Sequence, residues 1–258
     1  GGGYHNEEGA LIGGIDVIAF MENCSKAQAL DKIIDMCGGD LSKVTDAYAA
    51  SVKASTPKGP SDEDVAKRRA NLNKLYRNAV PASMDSTGCI QRYLNNRGLQ
   101  TDARTLPLTL GFTDKLWWGN GESKPVKYWG MLGMMTDMDG QNVTIHRTFL
   151  TPDGKKAPVE KPKMLMSPPT YIGGCSIKID QPLTVGDNTF IGLCEGIETA
   201  LAIREATGTP MWSCYSDSLL ELVKIPQHVD TVIIFADKDR SEAGQSKAQS
   251  LAKRLRSE

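Results

Sequence analysis

Phe190-Ile-Gly-Leu-Cys-Glu195-Gly196-Ile-Glu198-Thr-Ala-Leu-Ala-Ile203 and, further on, Val232-Ile-Ile-Phe-Ala-Asp237-Lys-Asp239 decide how this chain is read. Each is a short apolar run that ends in a carboxylate and passes into a helical pattern. Strands alternating with short helices imply a parallel sheet, whose ligands bind at the C-terminal strand ends. Glu195, Asp237 and Asp239 fall at those ends. Carboxylates gathered at one sheet edge repel one another unless a hard divalent cation neutralises them, so these three are candidate ligands for Mg²⁺ or Mn²⁺. Acids so placed suit phosphoryl-transfer chemistry, with Glu195 either completing the metal site or acting as general acid or base. Each acid taken singly is explained as well by capping of the following helix or by solvation. Glu198 and Thr199 lie in the first helical turn, where the dipole favours an acid, which leaves Glu198 a weak candidate ligand.

The flanking pattern gives strands at 189–194, 210–214 and 231–236 and helices at about 197–207, 217–224 and 242–256. Upstream, residues 105–190 alternate in short runs such as Val143-Thr-Ile-His-Arg-Thr-Phe-Leu150, with turn signals at Asp139-Gly140 and Pro152-Asp153-Gly154. This predicts a small, mostly antiparallel sheet. Helices are expected over about 61–78 and 87–97, the second closed by Gly98. Shorter ones are expected at 15–23, at 26–36 behind a Ser25 cap, and at 41–52. Residues 54–61 have linker composition. The fold class is therefore α+β: N-terminal helices over 1–53, a linker, a helical and antiparallel part over 62–188, and a Rossmann-like α/β part over 189–258.

A net charge of −1 excludes a globally basic nucleic-acid binder but leaves room for a local patch. Between Asn142 and Lys163 five basic residues (Arg147, Lys155, Lys156, Lys161 and Lys163) face two acids, which suits template phosphates or nucleoside triphosphates. A solvated, lysine-rich hairpin is the alternative. Trp117-Trp118 and Tyr128-Trp129 are better read as core than as stacking platforms for bases. His146 is read as a groove residue rather than a catalyst. The six scattered cysteines contain no CxxC pair, so they encode neither a disulfide framework nor a zinc ribbon and fit a reduced, cytoplasmic setting. No apolar run approaches the roughly 18 residues that span a bilayer, so no membrane role is expected.

Glu195-Gly196 after one apolar strand and Asp237-x-Asp239 after another resemble the toprim domain of bacterial-type primases, topoisomerases and some nucleases. Pro162-Lys163-Met-Leu-Met-Ser167-Pro168 is similar to the Pro-Lys-Tyr-Leu-Asn-Ser-Pro run that precedes the toprim sheet in primases. His146-Arg147-Thr-Phe-Leu, Lys155-Lys156-Ala and Tyr93-Leu-x-x-Arg97-Gly98 resemble the primases of phages and mobile elements, and the likeness covers roughly residues 85–256. The resemblance implies a DNA primase catalytic core that makes short RNA primers on single-stranded DNA from ribonucleoside triphosphates, beside a fused or separate replicative helicase. It also implies that residues 1–53 are the helical tail of a zinc-ribbon module whose cysteines this chain lacks, and that the toprim sheet either continues past residue 258 or is completed differently. A toprim nuclease, a topoisomerase and a non-catalytic nucleic-acid-binding module remain open. The basic segment argues against the first, and no tyrosine has an evident nucleophilic setting for the second.

Overall fold

The structure is a computed structural model that describes residues 3–5, 9–11, 26–36, 60–119, 124–237 and 243–257. The chain divides into two compact units, Gly1–Gly59 and Pro60–Glu258. In the first, β1 (Gly3–His5) pairs antiparallel with β2 (Gly9–Leu11), and α1 spans Lys26–Met36 with Ala29 buried. The helices expected at 15–23 and 41–52, and the Ser25 cap, lie outside the described residues.

The second unit opens with α2 (Asp62–Arg77), started by a capping box in which Ser61 and Asp64 satisfy each other's main-chain N–H groups. Of its residues only Leu72 is buried, as its charged sequence leads one to expect. After β3 (Val80–Pro81), Asp85 accepts the N–H groups of Thr87 and Ile90 and so caps α3 (Cys89–Asn96), which buries Ile90, Tyr93 and Leu94. Strands β4 (Leu110–Trp118), β5 (Val126–Thr136), β6 (Asn142–Leu150) and β7 (Lys163–Leu165) complete an antiparallel sheet in the order β3-β4-β5-β6-β7. Both of its faces are covered. Tyr93, Leu94, Met131, Met135 and Leu150 pack on one side, and Leu72, Leu132, Ile145 and Phe149 on the other. A sheet buried on two faces loses the polar–apolar alternation of a half-exposed one, which is why the second half of β5 reads as a nearly continuous apolar run, whereas β6 keeps its alternation.

The second sheet contains β8 (Ile177–Lys178), β9 (Leu183–Val185), β10 (Asn188–Cys194), β11 (Met211–Ser213) and β12 (Thr231–Ile234). Its order is β12-β10-β11-β8, with β9 against the start of β10. β10 pairs parallel with β11 and β12, whereas β8 and β9 run antiparallel, so the expected parallel sheet is a parallel centre with antiparallel additions. Helices α4 (Ile197–Thr207), α5 (Asp217–Leu222) and α6 (Ala243–Leu255) follow β10, β11 and β12. A third core of Ile191, Leu193, Trp212, Leu220, Val223 and Leu251 joins this sheet to α5 and α6.

The two sheets approach each other at Gly133 on β5. A Cβ there would stand 2.8 Å from the Cδ1 atoms of both Ile177 on β8 and Ile197 on α4, closer than carbon atoms pack. A side chain here would have to displace those two isoleucine ends, and His146 lies directly opposite the glycine on β6.

Candidate active site

The C-terminal ends of β10, β11 and β12 lie side by side, and Glu195 and Asp237 follow the first and the last. The main-chain oxygen of Glu195 is held twice, by the Ser213 hydroxyl and by the Tyr215 N–H, both at 2.7 Å. Strand β10 therefore ends in a rigid turn, and Gly196 leads into α4 with no side-chain cap. Across the strand ends, Gly244 at the start of α6 faces both acids. A Cβ on it would lie 3.4 Å from Glu195 Oε1 and 2.9 Å from the Asp237 carbonyl oxygen. The bare glycine leaves a cradle bounded by oxygen atoms of both residues, and oxygen donors of this kind suit a hard divalent cation. Asp239 lies outside the described residues. Among the described residues no group of three or more His, Cys, Asp or Glu side chains is gathered tightly enough to hold a metal. Of the three expected acids, Glu195 and Asp237 are the two that the described residues include, Asp237 meeting the cradle through its main-chain oxygen.

Beside this edge is a cleft of about 280 Å³, lined by His146, Lys163, Glu195, Gly196, Ile197, Ser213, Tyr215 and Ser216. Its two walls come from different layers: His146 and Lys163 from the antiparallel sheet, the others from the strand ends and α4. Lys163 stands on β7 and reaches Glu198 Oε2 at 2.6 Å. The other carboxylate oxygen of Glu198 accepts the Tyr93 hydroxyl. Glu198, which local pattern explains as a dipole-favoured acid, is therefore a buried ion-pair partner that ties α4 to α3 and β7. Burial alone would raise its pKa, but the Lys163 charge and the hydrogen bonds from Lys163, Tyr93 and its own N–H hold it down to about 2, from an ordinary 4.5. Burial, then the Glu198 charge, pushes the Tyr93 hydroxyl well above its usual range. Lys156 has its pKa lowered by partial burial and then by Lys163, while Glu198 opposes the shift, which places it near the same pair.

The five basic residues do not form one patch. Along β6, His146 and Arg147 point to opposite faces. His146 faces the cleft, whereas Arg147 lies over Phe149 on the far side and donates to the Leu165 carbonyl at 3.1 Å. Lys155 pairs with Asp153 at 3.0 Å on the surface, and the Lys161 carbonyl accepts the Trp118 indole N–H. Lys163, with Lys156 nearby, is the basic contribution to the cleft. Trp117 is 60 % exposed rather than core, because it falls on the outward side near the end of β4, while Trp129 packs edge-on against Phe112.

Two features of the cleft wall escape a local reading. Tyr215 has φ 73, the left-handed region that an aromatic side chain seldom adopts. His146 is 3 % exposed and neither ring nitrogen has a hydrogen-bond partner. The Tyr215 ring stands edge-on to His146 at 5.2 Å. Burial, and next the Lys163 charge, lowers the imidazole pKa to about 4, so it is neutral at physiological pH. Cys194 and Cys214, just before Glu195 and Tyr215, are buried free thiols whose pKa values burial raises.

Residues 190–258 match the toprim domain family. Residues 66–176, carrying α3 and most of the antiparallel sheet, match a domain of unknown function, DUF7146. No curated protein sequence matches the chain. Solved structures similar to it are bacterial primase catalytic domains. A DNA primase domain from Pseudomonas aeruginosa is 14 % identical, with a TM-score of 0.44, over 71 % of this chain and 65 % of that one. A DnaG primase catalytic domain bound to single-stranded DNA is 13 % identical (TM-score 0.43) over 71 % of this chain and 68 % of its own length. The Aquifex aeolicus primase, with its zinc-binding and RNA polymerase domains, is 13 % identical (TM-score 0.42) over 92 % of this chain and 59 % of that one. The chain spans under two thirds of the length of the first of these. Among the described residues no helix is long and apolar enough to cross a membrane.

Proposed function

We propose that the chain is the catalytic core of a DNA primase of phage or mobile-element type, which condenses ribonucleotides on a single-stranded DNA template. In that reading residues 62–188 and 189–258 are the two lobes of the core, and residues 1–53 are the tail of a separate N-terminal module. The observation that carries it is the cleft itself. Glu195 lines it from the end of β10, with Asp237 beyond the end of the neighbouring strand β12, and Lys163, from the antiparallel sheet, enters the same space paired with Glu198.

Glu195, Asp237 and Asp239 would hold Mg²⁺ or Mn²⁺, which when bound neutralises phosphate charge and lowers the pKa of the attacking hydroxyl. The chain's own groups do the positioning. Lys163 and Lys156 draw triphosphate or template phosphate to the cleft mouth. The doubly held main chain of Glu195 keeps its carboxylate at a fixed depth, available to accept the proton of the attacking 3′-hydroxyl. Walls from two layers exclude bulk water from the reacting groups. Arg147, on the far face, supports β7 through Leu165 and is not assigned a nucleotide contact. The activity places the protein in the cytoplasm of its host, beside a replicative helicase.

Primer synthesis on single-stranded DNA with labelled ribonucleoside triphosphates and Mg²⁺ or Mn²⁺ tests the reading. The expected result is short RNA from the wild type and none from Asp237→Ala, with unchanged circular dichroism. Metal-dependent cutting of DNA without synthesis would assign the acids to a nuclease. Equal DNA binding by both proteins, with no chemistry, would leave a binding module.

A further inference from the structure

The cleft is lined by groups of two kinds. Lys163 and Glu195 are charged, and the His146 imidazole, the Ser213 and Ser216 hydroxyls and Tyr215 are neutral and polar. Leaving a buried polar group unpaired costs about 1–3 kcal/mol, and buried groups in native proteins are nearly always satisfied. Both nitrogens of His146 break that rule in the wall of an open cleft. The wall is also strained. A left-handed aromatic residue costs roughly 1–3 kcal/mol and persists where the surroundings impose it, often at a ligand site. Here the Tyr215 N–H bond to Glu195 and the packing of its ring on His146 impose it.

The chemistry of the orphan narrows the ligand. A neutral imidazole offers one N–H donor and one acceptor nitrogen. A phosphate has acceptors only, and its natural partner is the Lys163 ammonium. A hydroxyl can accept from the imidazole N–H or donate to its other nitrogen. Ser216 Oγ, in the same lining, accepts the Leu219 N–H at 3.3 Å and keeps its own hydrogen to donate. A base edge would satisfy the imidazole equally well, but a templated reaction must admit every base and so leaves no residue to read one. The 3′-hydroxyl is the group that has to attack in the next cycle, which leaves the other hydroxyl of the sugar for the wall.

We propose that His146 is the subsite for the ribose 2′-hydroxyl of a bound nucleoside triphosphate, and that it makes the cleft prefer ribonucleotides to deoxyribonucleotides. This rests on the nucleotidyl-transfer reading for the identity of the ligand. His146 touches the sugar and not the reacting atoms, so it is a specificity residue.

Calorimetric titration of the whole chain with ATP and with 2′-dATP, both with Mg²⁺, tests it. ATP should bind about five- to twentyfold more tightly, as expected for one or two hydrogen bonds to a buried neutral partner. His146→Phe should lose that preference by weakening ATP, with 2′-dATP affinity unchanged within about twofold, while His146→Gln, which keeps a donor and an acceptor, should retain part of it. Imidazole ¹⁵N signals of the wild type should move with ATP and not with 2′-dATP, a readout that needs no variant to fold. Equal affinity for the two nucleotides, no binding of either, a preference surviving in His146→Phe, or ring signals indifferent to ATP would each overturn the proposal. Primer synthesis is read separately. A protein that selects ATP through His146 yet makes no primer refutes the primase reading alone. One that makes primers without selection at His146 refutes this subsite alone.

Discussion

Replacing Glu198 by Gln removes one charge and hardly any volume from the junction of α3, α4 and β7. The pKa of its carboxyl falls from 4.5 to about 2 on folding. At about 1.4 kcal/mol per unit this is roughly 3 kcal/mol in favour of the ionised form at neutral pH. The side chain is only 8 % exposed, so solvent screens little of it, whereas Lys163 at 32 % retains some water. Glu198→Gln leaves an acceptor for Tyr93 but turns amide hydrogens towards an ammonium, and the expected loss is about 2–4 kcal/mol. Urea unfolding at pH 7 measures it, together with Lys163→Met and the double variant. The double variant no longer strands a charge and should cost about 1–3 kcal/mol less than the sum of the singles. The pH dependence has a definite sign. A carboxyl whose pKa is lowered on folding stabilises above its unfolded value, so the wild-type advantage over Glu198→Gln should shrink as pH falls from 4.5 towards 2. A Glu198→Gln protein within about 0.5 kcal/mol of wild type, with additive costs, would refute the account of this junction.

His146 governs a separate window. Its pKa falls from 6.5 to about 4 on folding, so the unfolded chain takes up a proton first and the wild type should lose roughly 3 kcal/mol between those pH values. Burial and the charges of Lys163 and Arg147 oppose protonation and Glu198 favours it, and a His146→Phe stability curve should be flatter over that range only. Gly154 has φ 75, and a Cβ there would lie 2.6 Å from the Tyr93 nitrogen and from the Arg92 Cβ. Gly154→Ala should therefore cost at least about 2 kcal/mol in urea unfolding and, by displacing α3, also weaken the Tyr93–Glu198 contact.

The strands and helices of the second sheet were legible because each apolar run is bounded by a local signal. Glu195-Gly196 closes β10, Gly208 at φ 70 closes α4, and the Ser216 hydroxyl caps α5. The position of Glu195 and Asp237 beyond strand ends was legible for the same reason, since strand ends can be counted along the chain. Glu198 was not. Its partners Tyr93 and Lys163 lie 105 and 35 residues away, and pairing over that separation leaves no local pattern. The Tyr93-Leu-x-x-Arg97-Gly98 run drew notice as a motif without revealing what the tyrosine touches. The division of the basic residues could have been foreseen: His146 and Arg147 are neighbours on a strand, so only one can face a given cleft. Which one does so was hidden, because both faces of β6 are buried, so its alternation does not tell which face meets the cleft.

The absence of one carbon atom at position 133 sets an aperture. Ile177 and Ile197 seat against the bare Cα of Gly133, and the cleft opens between His146, opposite that glycine, and the Gly196–Ile197 turn that α4 carries. A residue that does not line the cleft thus bears on how its two walls fit. Alanine, serine and valine at 133 would crowd the Ile177 and Ile197 side-chain ends by increasing amounts, taken up first by those side chains and, once they have no room left, by α4. Admission by size becomes an adjustable dimension, held in a place where none of the groups that contact a ligand has to change.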